Sequence, residues 1–474
     1  MATSLKVYAS SQRASVADFG ADATGKKDAT EAVRKAIASL DTTNARLVFP
    51  SGKYLFDQPS GGPAILFNGF DGIEVYANNA ELHFSAASGG FAFTGCHNVA
   101  LHDMKLDWSE SAGVPGKGAG VTFEDCPGVL CEDISMHGAP GVGFAADNCR
   151  DLRFEGVALT AVKQGRGAIS NAEHAIVIGN CHGDVKLHEC RFEGMSGDGI
   201  NIYQSYWRIR ERLDERSVVI EGNWKPSMLA PGSFVQFSSP TTLQLMGEIA
   251  IQSVSTNGQG ATLTFTETLS PAILSGMLVC SVVDGPKVAI DHCRVSNNLG
   301  RGAVLHARSE VTNSHFEGCG RAAILLAADS RRLEGPVVQN VNIRTNTFEG
   351  CNQGMGGDGR GVITIDSEQD REALETPSFT VNSGIKVQGN IFKDSVAPAI
   401  YAAGVDGIVI GSNTLGRSKS GDPRGHAAAA IVLRNVADAD ISGNIANVPQ
   451  TVVMLQCADS VVIDGNRMLT AEKS

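Results

Sequence analysis

The chain has 474 residues, a formal charge of −12 and 54 glycines, with aromatics at 6% and charged residues at only 19%. That balance excludes a disordered or coiled-coil chain. The scattered Lys and Arg argue against nucleic acid as the main partner, and no apolar run is long enough to span a bilayer.

The opening stretch, MATSLKVYASSQRASV, lacks the basic and apolar regions of a secretory leader. Two compartments are therefore expected alternatives: inside the cell, or outside it with a leader already removed. Residues 1–63 read as an N-terminal cap. Within them Asp28-Ala29-Thr30 opens a helix, and Ala32, Val33, Ala36, Ile37 and Leu40 recur at helical spacing.

From residue 64 the pattern changes to short alternating strands separated by Gly, Asn and Asp turns: GIEVYA, VALHDMKLDW, GVLCEDISMHG, DLRFEGVALT, DVKLHECRFEG. The unit returns every 20 to 35 residues or so, with no amphipathic helix between strands. This is the mark of a solenoid, whose coils bury their apolar faces only by stacking on one another. The tripeptide Phe-Glu-Gly recurs at Phe154, Phe192, Phe316 and Phe348, and its Phe is expected at one phase of every coil. The expected fold is all-β: a right-handed parallel β-helix over residues 64–205 and 285–474, closed by the N-terminal capping helix. A terminal helix is a common cover for the open end of such a stack.

Most of the eleven cysteines sit at one recurring place, as in TGC (Cys96), EDC (Cys126), DNC (Cys149) and GNC (Cys181). Recurrence at one repeat position predicts small buried hydrophobes rather than disulfide partners. No CxxC and no zinc-like spacing occurs, so neither a metal nor another cofactor is expected.

In chain order, the carboxylates that stand apart are few. Glu173 and His174 precede one apolar strand (EHAIVIG), and Asp198, between Gly197 and Gly199, precedes another (INIY). They are 25 residues apart, about one coil, and stacked strands lie roughly 4.8 Å apart. Two carboxyls so placed can share a groove, which is what glycoside hydrolysis requires: one protonated acid for the leaving oxygen and one ionised partner. The alternative is an Asp that caps its own turn and a solvated Glu. Directly after this strand, residues 206–284 alternate at period two without the repeat marks, predicting an inserted β-barrel-like subdomain. Trp207 opens it, and a Trp at that edge would serve equally for stacking on a sugar face or for packing under the insertion. Trp108 is the other tryptophan at a coil edge. When the coils resume, NNLGRGAVLHAR brings Asn298, Arg301, His306 and Arg308, and a guanidinium between two glycines suits a carboxylate or sugar hydroxyls. Asp329, Glu334 and Asp366 follow at later strand ends.

Two resemblances rest on these stretches. DFGA, the DAT-containing helix and VFPSGKY resemble the N-terminal cap of the pectate-lyase-like superfamily. LDW (Leu106 to Trp108), AEH through NCHG (Ala172 to Gly183), the Cys190–Ile202 stretch, GRG (Gly300 to Gly302), the Ala322–Gly335 stretch and the Ile363–Glu368 stretch resemble, in this order, glycoside hydrolase family 110. That resemblance implies inverting removal of terminal α-1,3-linked galactose from an oligosaccharide or polysaccharide, with no cofactor. It implies Asp198 as base and, allowing a one-residue shift, Glu173 as acid. His174, Arg301, Trp207, Asp329, Glu334, Asp366, Asn201 and Asp107 would bind the substrate. Where the family carries an acidic pair, this chain has Gly197 before Asp198. A polysaccharide lyase or uronate epimerase on the same scaffold is the competing expectation, and a non-catalytic carbohydrate-binding solenoid a third. Neither nucleic acid nor membrane is an expected partner, and self-association into a homo-oligomer is left open.

Overall fold

The computed structural model describes residues 12–468 except 58–61, 86–88, 109–117, 162–171, 223–228, 257–259, 282–284, 307, 354–359, 368–379, 396–397, 418–428, 448–449, 456 and 458–459. The chain forms two compact units. The first comprises Met1–Asn201, Ala289–Ala303 and Ser314–Gly320; the second comprises Ile202–Val288, Val304–Asn313 and Arg321–Ser474.

In the first unit, parallel strands stack coil on coil in register. One interior column runs Ala45, Ile73, Val99, Val129, Leu152, Val185, each the pairing partner of the next. All six are at most 1% exposed. Fully burying such a side chain is worth about 1.5–3 kcal/mol, and that gain fixes the register, because a one-residue slip would turn the whole column outward. The sheet begins early: the strand Thr43–Val48 already pairs with Asp71–Tyr76. The helix Thr30–Ala38 buries Val33 and Ala36. Its entry is held by Asp28, whose carboxylate accepts from the Thr30 N–H (3.0 Å) and hydroxyl (2.6 Å). This is the capping helix expected from the sequence.

Recurrent corners among the described residues hold one residue in the left-handed region, and this explains the recurring motif. Asp125, Asn148 and Asn180 have φ of 55°, 53° and 53°, a conformation that Asn and Asp tolerate better than most residues. The cysteine after each turns inward. The Sγ of Cys149 accepts from the Cys126 N–H (3.4 Å), and the Sγ of Cys181 from the Cys149 N–H (3.3 Å). All these thiols are buried, and none of them forms a disulfide.

The second unit has its own column, Val341, Ile385, Ile408, Ala439, Val461. At its corners an amide ladder replaces the thiols. Asn346, Asn390, Asn413 and Asn444 each donate Nδ2 to the Oδ1 of the next asparagine, ending at Asn466, at 2.9–3.1 Å. Four of these five residues are at most 1% exposed, and their mutual satisfaction makes that burial tolerable. Six antiparallel strands of this unit close into a barrel spanning Trp207 to Ser281, the inserted subdomain expected from the period-two pattern.

One expectation fails. The Phe-Glu-Gly tripeptides are not all in phase. Phe192 pairs with Leu159 and Val295, and Val295 with Phe316, whereas Phe154 pairs with Cys131 and Leu187 in a different sheet column. All four Phe rings are buried. Any inward position that precedes a corner accepts the same three residues, so the tripeptide marks a corner and not one particular corner.

Candidate active site

The first unit brings Glu173, His174, Asp198 and Arg301 together. Asp198 stands at the entrance of the strand Ile200–Ser205, and Glu173 and His174 open the neighbouring strand Ala172–Gly179. The Gly197 N–H donates to the Glu173 carbonyl at 2.7 Å, and the Asp198 N–H donates to His174 Nδ1 at 3.1 Å. An accepting Nδ1 places the neutral ring's proton on Nε2, which lies 3.9 Å from a Glu173 carboxylate oxygen. His174 is thus hydrogen-bonded to the Asp198 backbone on one side and faces the Glu173 carboxylate on the other.

On its other side Asp198 meets the Gly-Arg-Gly turn. Its Oδ1 accepts from the Arg301 N–H at 2.7 Å, and its Oδ2 is 3.6 Å from the Arg301 guanidinium. The first is a charge-assisted hydrogen bond. The second is too long for one and acts through charge alone. Both side chains are nearly sealed, at 6% and 7% exposure, so the attraction is screened far less than at a surface. Glycine is obligatory in this turn: a Cβ on Gly300 would lie 2.5 Å from Asp198 Oδ1. Asn298 ties the turn down by accepting from the Met195 N–H at 2.9 Å. The Glu173 side chain, by contrast, is 71% exposed. One carboxylate is buried and held by the Gly-Arg-Gly turn, and the other is exposed to solvent.

The same geometry accounts for Gly197. A Cβ there would lie 2.6 Å from the Glu173 carbonyl and 3.1 Å from the His174 ring. The acidic residue implied by the family resemblance has no room in this chain, which carries a single acid at that turn.

Of the remaining candidates in this unit, Asn201 is buried with its Oδ1 unpartnered. Asp107 is partly exposed, 3.9 Å from His83. Trp108 is 1% exposed and stacks on Phe84 at 4.5 Å, so it packs the interior and offers no face to a sugar. Trp207 is corrected in the same way. In the second unit it is 3% exposed within the apolar core of the barrel, because the period-two strand that opens the insertion turns its first side chain inward. Asp329 accepts from the Arg331 and Arg332 N–H groups at 2.8 and 3.1 Å and shares a backbone bridge with Glu334, which makes it a hairpin cap. Asp366 is ion-paired with Arg360.

Residues that sequence reasoning passed over also line a cavity of about 420 Å³ in the second unit, among them Tyr203, Phe234, Gln236 and Glu248. Nothing in their local pattern marks them, since they are ordinary positions of alternating strands. Among the described residues, His188, Asp291 and His292 alone group as three ligand-type side chains within 4.8 Å of one another.

Comparison with known proteins places this geometry in context. The family described as rhamnogalacturonase A/epimerase, pectate lyase-like, matches residues 14–62. The chain is 28% identical over 304 residues to alpha-1,3-galactosidase B of Bacteroides fragilis, covering 60% of this chain and 51% of that protein. It is 27% identical over 376 residues to alpha-1,3-galactosidase B of Phocaeicola vulgatus, covering 73% and 63%. Alpha-1,3-galactosidase A of Shewanella woodyi is 25% identical over 331 residues, covering 68% and 53%. The chain therefore spans about half to just under two thirds of the length of the curated relatives it matches. Among solved structures, the Agl-KA catalytic domain superposes with a TM-score of 0.51 at 13% identity, over 98% of this chain and 70% of that one. The chain is a homologue of proteins named alpha-1,3-galactosidase, and its fold is a right-handed parallel β-helix.

Proposed function

We propose that the chain is a glycoside hydrolase that removes a terminal α-linked galactose, with Asp198 and Glu173 as its working carboxylates. The observation that carries this reading is the backbone bond between Gly197 and Glu173, which sets the two acids on adjacent strands while their environments differ. The homology to alpha-1,3-galactosidases over 60–73% of the chain supports the sugar and the linkage.

In the proposed reaction, Glu173 in its protonated form gives its proton to the glycosidic oxygen as the C1–O bond breaks. Asp198, ionised, takes a proton from a water whose oxygen bonds to C1 from the opposite face. The products are galactose of inverted configuration and the shortened acceptor. Glu173 ends ionised and Asp198 protonated, and exchange with solvent restores both. Arg301 holds Asp198 by its N–H and supplies the positive charge beside it. His174 orients the Asp198 backbone and faces the Glu173 carboxylate. The acidic protein surface sets no electrostatic barrier to a neutral substrate.

The test is incubation with α-1,3-galactobiose followed by proton NMR. Galactose released first as the β-anomer supports the proposal; α-anomer first would mean a retaining mechanism. Asp198→Asn should lower kcat/KM at least a thousandfold while leaving the circular dichroism spectrum unchanged. Undiminished turnover by that variant would remove Asp198 from the reaction, and an unsaturated uronate product from pectic substrates would replace the hydrolase with a lyase.

A further inference from the structure

The second unit contains a cavity of about 420 Å³ that no residue of the Asp198 cluster lines. Its wall is of mixed composition. Tyr203 comes from a coil strand, Phe234, Gln236 and Glu248 from the barrel, and His306 and Arg308 from the segment after the insertion. A volume of this size falls in the lower part of the range for small-molecule sites.

His306 is the informative residue. It is 3% exposed, and neither ring nitrogen makes a hydrogen bond of normal geometry, although the Pro336 carbonyl is close enough to act on the ring. Leaving buried polar atoms unsatisfied costs about 1–3 kcal/mol, so such a side chain lining a cavity is poised for a ligand. Burial pushes its pKa down to about 4, with the Pro336 carbonyl and the Asp329 charge only partly offsetting that. The ring is therefore neutral at physiological pH and offers one donor and one acceptor, the combination that a sugar hydroxyl satisfies. Gln236, nine-tenths buried, donates to Glu248 Oε2 at 3.2 Å, which orients its amide. The aromatic rings of Tyr203 and Phe234 are the remaining element. Phe234 is 42% exposed, so part of its ring is open to a bound molecule. The ionisable groups of this wall are one Glu and one Arg, whose charges cancel, beside a neutral His. That cancellation leaves the wall no net charge to favour a uronate over a neutral sugar.

We propose that this cavity is a second saccharide site, built for one or two neutral hexose units and separate in its residues from the Asp198 cluster. The choice of galactose as probe rests on the function proposed above; the existence of the site does not. Bound sugar would set an apolar ring face against Phe234 or Tyr203, gaining the stacking that aromatic faces provide. Its hydroxyls would satisfy His306, Gln236 and Glu248.

The experiment is a titration of the Asp198→Asn protein with methyl α-D-galactopyranoside, followed by ligand-observed NMR. Two classes of site are expected. Adding Phe234→Ala or His306→Leu should weaken one class at least tenfold and leave the other unchanged, and D-galacturonate should compete poorly for the class that is lost. Phe234→Ala removes an exposed side chain, so it remains informative if His306→Leu proves unstable. Binding unaltered by both substitutions would overturn the proposal, as would galacturonate bound as tightly as the neutral galactoside. One class only, abolished by both substitutions, would support the cavity while counting against galactose recognition at Asp198. The two readings therefore fail separately.

Discussion

Replacing Arg301 by Met tests whether the Asp198–Arg301 pair is a designed unit. The two charges are 3.6 Å apart and both side chains are almost fully buried. With an effective dielectric of about 20, unit charges at that separation attract by about 4–5 kcal/mol. Met fills much of the same volume, and the backbone N–H of residue 301 still reaches Asp198 Oδ1. The net loss should therefore fall at about 2–4 kcal/mol, near the lower end of the cost of breaking a buried pair. Urea unfolding followed by circular dichroism would measure it for Arg301→Met, Asp198→Asn and the double variant. The double variant should be more stable than the sum of the singles predicts, by at least about 1.5 kcal/mol, because its second substitution removes a charge the first had already stranded. Activity should fall in parallel, since a displacement of about 1 Å at a reacting group costs about a hundredfold. Additivity within about 0.5 kcal/mol, the behaviour of independent sites, would refute the pairing.

Three further outcomes follow from the described geometry. The pKa of His306 lies at about 4 in the folded chain against an ordinary 6.5. The folded state therefore binds fewer protons than the unfolded state between those values, and stability falls as pH drops from 6.5 to 4. At about 1.4 kcal/mol per unit the loss is about 3 kcal/mol, and His306→Leu should flatten that part of the profile relative to wild type in chemical denaturation. Gly197→Asp, which would create the acidic pair implied by the resemblance, should lower both activity and stability, because its Cβ would meet the Glu173 carbonyl at 2.6 Å; a gain in kcat would show that the strand gives way. Trp207→Ala should destabilise the barrel by about 3–5 kcal/mol, read by thermal melting, whereas a large rise in KM with an unchanged melting temperature would restore it as a sugar platform.

Much of the fold was legible because its repeats are set by short-range needs. Left-handed corners select Asn, Asp and Gly, inward positions select apolar residues, and the pattern lapses where the barrel begins. The pairing of Asp198 with the Gly-Arg-Gly turn was half legible. Both segments stand out by their glycines, but the contact joins residues 103 apart, and nothing local announces that Gly300 must lack a side chain so that Asp198 can approach. The direction of Trp207 was not legible, since in an alternating strand the inward face depends on which neighbours close the barrel. Nor could the sequence show that Phe154 belongs to a different column from Phe192, because both obey the same corner chemistry.

The strand Arg191–Glu193 pairs on one side with residues 33 positions earlier and on the other with residues 103 positions later, Arg191 standing opposite Ala158 and Arg294. The entropic charge for closing a chain segment grows only with the logarithm of its length. Tripling the segment from an ordinary coil to one carrying a barrel therefore adds only about 1 kcal/mol to the cost of that pairing. A stacked fold of this kind can accommodate a whole additional module at one corner for less than the value of a single buried leucine. The kinetic burden is larger. Growth of the first unit past Glu193 waits for a hundred residues to be synthesised and brought back, so this corner is where an unfinished chain exposes an open edge longest, and where dependence on folding assistance should concentrate.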